Sequence, residues 1–262
     1  MKGKYVMNKT VFWFSGTGNS LYTAKTLAKA LGDTELMPIA NEAPMDAIGG
    51  DGCKIGFVFP SYYGDLPRLV RVFVERLSIL PHTDIFAVVT MGAFGQGSVK
   101  ALAEQLAAKG TPLRYGVGLR INGNYILKYD PAMFGAKSDR RIHSKLNKAD
   151  KRILRITEDI NSGKQLVKTN AITAKTLYKD IASLDTGFTI NEKCTGCGLC
   201  EKVCPVNNIK LADGKPVWQH HCEHCVACIS WCPAATINHG QATVKRTRYR
   251  NPRIAVTEME NR

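Results

Sequence analysis

Acidic residues are scarce: 22 Asp and Glu stand against 36 Lys and Arg in 262 residues, a formal net charge of +14. No apolar run nears the ~18 residues that would cross a bilayer, and the longest, around Phe57 and Phe86, are broken by Gly, Pro or Asp within a few positions. Near the start, Lys2 and Lys4 precede Val11 to Phe14, an apolar stretch too short for a secretory signal. A first strand is expected there, and export is not. Cysteine is nearly absent from the first 190 residues, where only Cys53 occurs; the other eight fall between Cys194 and Cys232. Their two-residue gaps suit metal-cluster ligands better than disulfides, so a reducing cytoplasm is the expected compartment.

Two nucleotide signatures are missing as well. No Gly-Lys-Ser/Thr pair marks a P-loop, and no Gly-x-Gly-x-x-Gly marks a dinucleotide fold, which disfavours nucleoside triphosphates and NAD. With 44% hydrophobic and 22% charged residues the composition is that of a globular protein, and the length suits two modules. The basic excess is spread out: residues 126 to 185 carry 13 Lys and Arg against 7 Asp and Glu, and residues 241 to 262 carry 6 against 2. A solvated basic face or docking to an acidic redox protein is expected of it, ahead of nucleic acid or a membrane surface. The oligomeric state is open, a homodimer included.

From Val11 to about Ile121, short apolar runs alternate with helical patterns, as repeated βα units do. Strands are expected at 11 to 14, 35 to 39, 54 to 59, 84 to 90 and 113 to 120, with helices near 19 to 31, 67 to 79 and 97 to 109. The fold class is therefore α/β, a doubly wound five-stranded parallel sheet whose ligand sits at the carboxyl ends of the strands. Ser138 opens a long basic helix with Ile142, Leu146, Ala149, Ile153, Ile156 and Ile160 on one stripe. Residues 1–163 form the first domain, 164–186 a helical connector, 187–245 the cysteine-rich module and 246–262 a basic C-terminal tail. Cys53, at a strand start, reads as a small buried hydrophobe.

Directly after the first strand the chain reads Ser15, Gly16, Thr17, Gly18, Asn19, Ser20 and enters a helix. Backbone N–H groups and hydroxyls at such a turn suit a phosphate, which the helix N-terminus also favours. This segment is similar to the phosphate loop of flavodoxins, and the resemblance implies FMN. It also implies that the ring lies against the loops after the third and fourth strands, Pro60, Ser61, Tyr62, Tyr63, Gly64 and Thr90, Met91, Gly92, Ala93, Phe94, Gly95. Either tyrosine suits stacking, and each suits a rim position equally. Asn122 to Ile126, with Tyr125, resembles a segment near the flavin in flavodoxin-ferredoxin fusion proteins; a simple turn closing the sheet fits it as well.

The cysteines form two matched blocks, Cys194, Cys197, Cys200, Cys204-Pro205 and Cys222, Cys225, Cys228, Cys232-Pro233. The spacing is that of bacterial ferredoxins with two 4Fe-4S clusters, a small α+β module in which the fourth cysteine of each block ligates the other cluster. One cluster would then take Cys194, Cys197, Cys200 and Cys232, and the other Cys222, Cys225, Cys228 and Cys204. Gly196 and Gly198 leave backbone N–H groups near sulfur. The second block has Glu223, His224 and Ala227 instead, so the potentials are expected to differ. Zinc, suggested by His220, His221 and His224, prefers separated cysteine pairs.

Together the modules resemble the flavodoxin-ferredoxin fusion family of anaerobes. The resemblance implies a relay of electrons among FMN, two 4Fe-4S clusters and an external redox partner, with no catalytic side chain needed. A reductase of a quinone, corrinoid or nicotinamide nucleotide is the alternative. A cluster-based sensor using Lys245 to Arg250 on nucleic acid is a third.

Overall fold

The computed structural model describes residues 8–39, 46–92, 95–134, 136, 138–169 and 184–260. The chain divides into two compact units. One comprises residues 1–14, 20–120 and 147–175, and the other residues 15–19, 121–146 and 176–262.

In the first unit six strands run parallel: β1 (Lys9–Trp13), β2 (Glu35–Pro38), β3 (Lys54–Pro60), β4 (Asp84–Met91), β5 (Tyr115–Arg120) and β6 (Leu166–Val167). Their spatial order is β2-β1-β3-β4-β5-β6, so the first five carry the flavodoxin order, which reverses direction between β1 and β3. The central strands are apolar on both faces, as a covered parallel sheet requires: Phe57, Val58 and Phe59 in β3 and Ile85 to Val89 in β4 are almost wholly buried. A Cβ on Gly56 would come 2.3 Å from the Phe86 ring, so only glycine lets that ring cross the neighbouring strand.

Helices α1 (Asn19–Leu31), α2 (Arg68–Arg76) and α3 (Gln96–Ala108) follow β1, β3 and β4, and α4 (Asp139–Asn161) follows β5. Ala149, Ile153, Ile156 and Ile160 of α4 are buried, at the spacing of one helical face. Gly163, with φ 71°, gives the left-handed exit. Cys53 is buried.

The sixth strand falls at the start of the segment 164–186 that the sequence reads as a helical connector, and there the chain is extended. Leu166 N–H donates to the Arg114 carbonyl at 3.0 Å and Lys168 N–H to the Gly116 carbonyl at 2.9 Å, so the chain leaving α4 adds to the sheet edge. Residues 170–183 of that connector lie outside the described residues.

The second unit holds β7 (Phe188–Ile190), α5 (Leu199–Lys202), β8 (Ile209–Ala212), β9 (Lys215–Trp218), α6 (Ala227–Trp231) and β10 (Ile237–His239). β8 and β9 form an antiparallel hairpin, and β7 pairs antiparallel with β10. The hairpin turns on Asp213 and Gly214, both with positive φ, as a tight primed turn requires. A core of Ile126, Phe188, Ile209, Val226, Cys228, Ile229 and Ile237 joins the segments.

Residues 246–260, within the basic C-terminal segment, pack on other parts of the second unit. Arg246 donates to the carbonyls of Ile126 and Leu127, and Arg248 to those of Ile229 and Ala235. Tyr249 and Asn251 are buried, and a 3-10 turn at Val256–Met259 buries Met259.

Candidate cofactor sites

The two cysteine blocks fold alike from different residues. In the first, Gly196 and Gly198 take positive φ, and a Cβ on Gly196 would come 2.7 Å from the Gly214 carbonyl oxygen. In the second, His224 (φ 53°) and Val226 (φ 58°) adopt the same left-handed backbone. A branched residue rarely does so, at a cost of order 1–3 kcal/mol. The loop shape is therefore held by what surrounds it, including the burial of Val226.

Each block contributes to two hollows. Cys194, Cys197, Cys200 and Cys232 line one, and Cys204, Cys222, Cys225 and Cys228 line the other. Three cysteines in each hollow come from one block and the fourth from the other. Among the described residues no three side chains converge as closely as a single ion would require.

Backbone N–H groups already point at sulfur. Asn208 donates to Cys204 Sγ at 3.2 Å, His224 to Cys222 Sγ at 3.2 Å and Thr236 to Cys232 Sγ at 3.4 Å. Burial pushes the Cys200 thiol up to about 11 and carries Cys222 and Cys228 well above the ordinary thiol range. Burial acts the same way on Cys232, but hydrogen bonds from Thr236 and neighbouring backbone bring it below that range. Dry thiols of this kind become thiolates when iron replaces their protons, so the donor set fits iron-sulfur clusters.

Residues 189–210 match the family of 4Fe-4S binding domains. The match spans the first cysteine block. The segment around the first cysteine block is thus similar to 4Fe-4S binding domains, in a chain whose other unit has its parallel strands in the flavodoxin order. Among solved structures it is similar to an azoreductase from Bacillus anthracis str. Sterne, at 12% identity over 56% of this chain and 99% of that one, TM-score 0.35. It is also similar to a flavodoxin from the domain Archaea, at 12% identity over 58% and 98%, TM-score 0.32. Scores this low speak to neither fold nor function, and the fold rests on the strand order above. No described helix is long and apolar enough to cross a membrane.

The second hollow has a polar and aromatic surround that spacing alone did not reveal. Buried Asp185 accepts from the His220 N–H at 3.0 Å and from Asn208 Nδ2 at 2.8 Å, and its other oxygen lies 2.8 Å from His220 Nδ1. His224 Nδ1 meets the Tyr125 hydroxyl at 3.2 Å, and its Nε2 the Leu184 carbonyl at 2.7 Å. His221 bonds the Val206 and Gln219 carbonyls. These histidines are committed to the protein, and Tyr125 lies beside the second cysteine block.

The loop Ser15–Asn19 is buried within the second unit. Gly18 N–H donates to Ser15 Oγ at 3.0 Å, and Asn124 bonds Thr17 Oγ1. Asn19 Oδ1 accepts from Tyr249 Oη at 2.7 Å and Asn251 Nδ2 at 3.1 Å, while its Nδ2 donates to the Asn122 carbonyl at 2.9 Å. Trp231 Nε1 donates to the Gly16 carbonyl at 3.0 Å. A Cβ on Gly16 would sit 2.1 Å from the Cys225 carbonyl oxygen. Asn19 therefore shapes the loop, while the helix-start amide groups suit an anion. Asn122 Oδ1, buried with no hydrogen-bond partner in the chain, suits a hydroxyl or N–H of a ligand.

In the first unit, Ser61 N–H donates to the Thr90 carbonyl at 2.9 Å, and Ser20 Oγ lies 2.7 Å from Thr90 Oγ1. Tyr62 and Asp65 exchange backbone hydrogen bonds around Tyr63 and Gly64, both at positive φ. The Tyr62 ring meets Phe14 edge-on at 6.1 Å. Met91 packs where a Cβ on Gly95 or Gly118 would fall, and Gly92 ends the described part of its loop, since Ala93 and Phe94 lie outside the described residues.

Proposed function

We propose that this chain is an electron-transfer protein relaying electrons among FMN, two 4Fe-4S clusters and an external redox partner. The observation that carries the reading is the pair of hollows, each lined by four cysteines in a crossed set. When bound, the clusters supply one-electron storage, and FMN takes two electrons in single steps.

The chain's own part is binding, orientation and tuning. Cys194, Cys197, Cys200 and Cys232 hold one cluster, and Cys204, Cys222, Cys225 and Cys228 the other. The N–H groups of Asn208, His224 and Thr236 stabilise negative charge on sulfur. The FMN phosphate is assigned to Ser15–Ser20 on the loop's sequence and its place before α1. The ring is assigned to Pro60–Gly64 and Thr90–Gly95, which follow β3 and β4 at the ligand-binding ends of a doubly wound sheet.

The test is iron, acid-labile sulfide and extractable FMN per chain on anaerobically purified protein, with the visible spectrum followed during stepwise reduction. About eight iron and one FMN, bleaching under one reductant, support the relay. Zinc in place of iron removes the cluster reading, and absence of flavin removes the FMN half.

A further inference from the structure

Hairpin β8–β9 serves both hollows by its alternation. Cross-strand partners Leu211 and Pro216 line the first hollow, and partners Ile209 and Trp218, two residues along each strand, line the second. Successive pairs of this kind share one face of the hairpin. Besides the hydroxyls of Thr195 and Thr236, the latter 3.4 Å from Cys232 Sγ, the first hollow is lined by Leu211, Pro216 and Ile237, and its hairpin pair has no side-chain donor. The second hollow has an indole in the equivalent place.

That indole is fixed but unsatisfied. Its ring stacks on Phe188 with centroids 5.4 Å apart and planes 11° apart. Its Nε1 is buried and has no hydrogen-bond partner in the chain. A buried N–H without an acceptor costs its full desolvation, so natural proteins rarely leave one. An acceptor is supplied if the hollow holds sulfide and thiolate, both of which take N–H hydrogen bonds.

We propose that Trp218 Nε1 donates a hydrogen bond to a sulfur of the cluster held by Cys204, Cys222, Cys225 and Cys228, making that cluster more easily reduced than it is without the indole N–H. The inference rests on the two-cluster reading. A donor aimed at sulfur stabilises the extra negative charge of the reduced state, so it raises the potential. The hairpin offers the first hollow no indole, so the effect of Trp218 is confined to the second cluster.

The test is Trp218→Phe, which keeps the ring stack and removes the N–H. Iron content and sulfide are measured first, then both midpoint potentials by EPR-monitored titration. With about eight iron retained, one midpoint is expected to fall by about 59 mV, a tenfold fall in the ratio of reduced to oxidised cluster at fixed potential, with the other unmoved. If Trp218→Phe sheds iron, benzothienylalanine at 218 preserves the bicyclic shape without the N–H, and its titration decides. Unchanged midpoints in an iron-replete variant overturn the role of Trp218. Unsubstituted protein without eight iron overturns the two-cluster reading instead.

Discussion

The Asn19 carboxamide is bonded to the Tyr249 hydroxyl at 2.7 Å across 230 residues of sequence. Burial raises the Tyr249 hydroxyl above its ordinary range, and its hydrogen bonds with Asn122 and Asn19 offset part of that rise. The loop after β1 thus takes its shape from the far end of the chain.

Tyr249→Phe is expected to cost about 1–2 kcal/mol, the price of a buried hydrogen bond with one partner removed. Asn251 still holds Asn19, so the fold survives. Denaturant unfolding reads the stability, and flavin titration is expected to show several-fold weaker FMN binding with iron content unchanged.

The crossed ligand sets make a prediction about pairs of variants. Cys225→Ala and Cys204→Ala strike one hollow, so the double variant is expected to lose little more iron than either alone. Cys204→Ala with Cys197→Ala strikes both and is expected to remove nearly all of it. Additive loss from Cys204→Ala with Cys225→Ala would sink the crossed assignment.

Gly16→Ala places a methyl group 2.1 Å from a backbone oxygen of the second cysteine block. Overpacking of this kind costs typically 1–3 kcal/mol. Iron and flavin are both expected to fall in the variant, whereas loss of flavin with full iron would show that the loop shifts independently.

Acid stability carries a sign. The Lys164 ammonium holds the Asp159 carboxyl below its usual range, burial opposes this, and the Tyr115 hydroxyl adds to the lowering. Its folded pKa is thus below its unfolded one, so its contribution is complete above the unfolded value of about 3.9 and is lost as pH falls through the folded one. Asp159→Asn is expected to be less stable than the unsubstituted protein at pH 7. The gap should close below about pH 4 in urea unfolding followed across pH.

Much of the fold was legible because its signals are local. The apolar runs at β3 and β4 and the stripe on α4 are patterns of neighbours, and the cysteine blocks are patterns of spacing. The two-residue β6 was not, since Leu166-Val167 has no period to show and depends on a free edge at β5. The left-handed backbone at Val226 contradicts its own propensity and is set by tertiary packing. Asp185, Asn251 and Trp231 act across long sequence separations, and nothing beside them in the chain signals it. Trp218 is an intermediate case, since the alternation of Lys215, Pro216, Val217 and Trp218 places Pro216 and Trp218 on one face.

Synthesis runs from Asn19 to Tyr249, and at 5–20 residues per second the intervening chain takes roughly 10–50 s to appear. For that interval the loop Ser15–Asn19 has emerged without the residues that shape it. On the FMN reading proposed above, a nascent chain halted before Tyr249 is expected to be apo-flavin however complete its sheet.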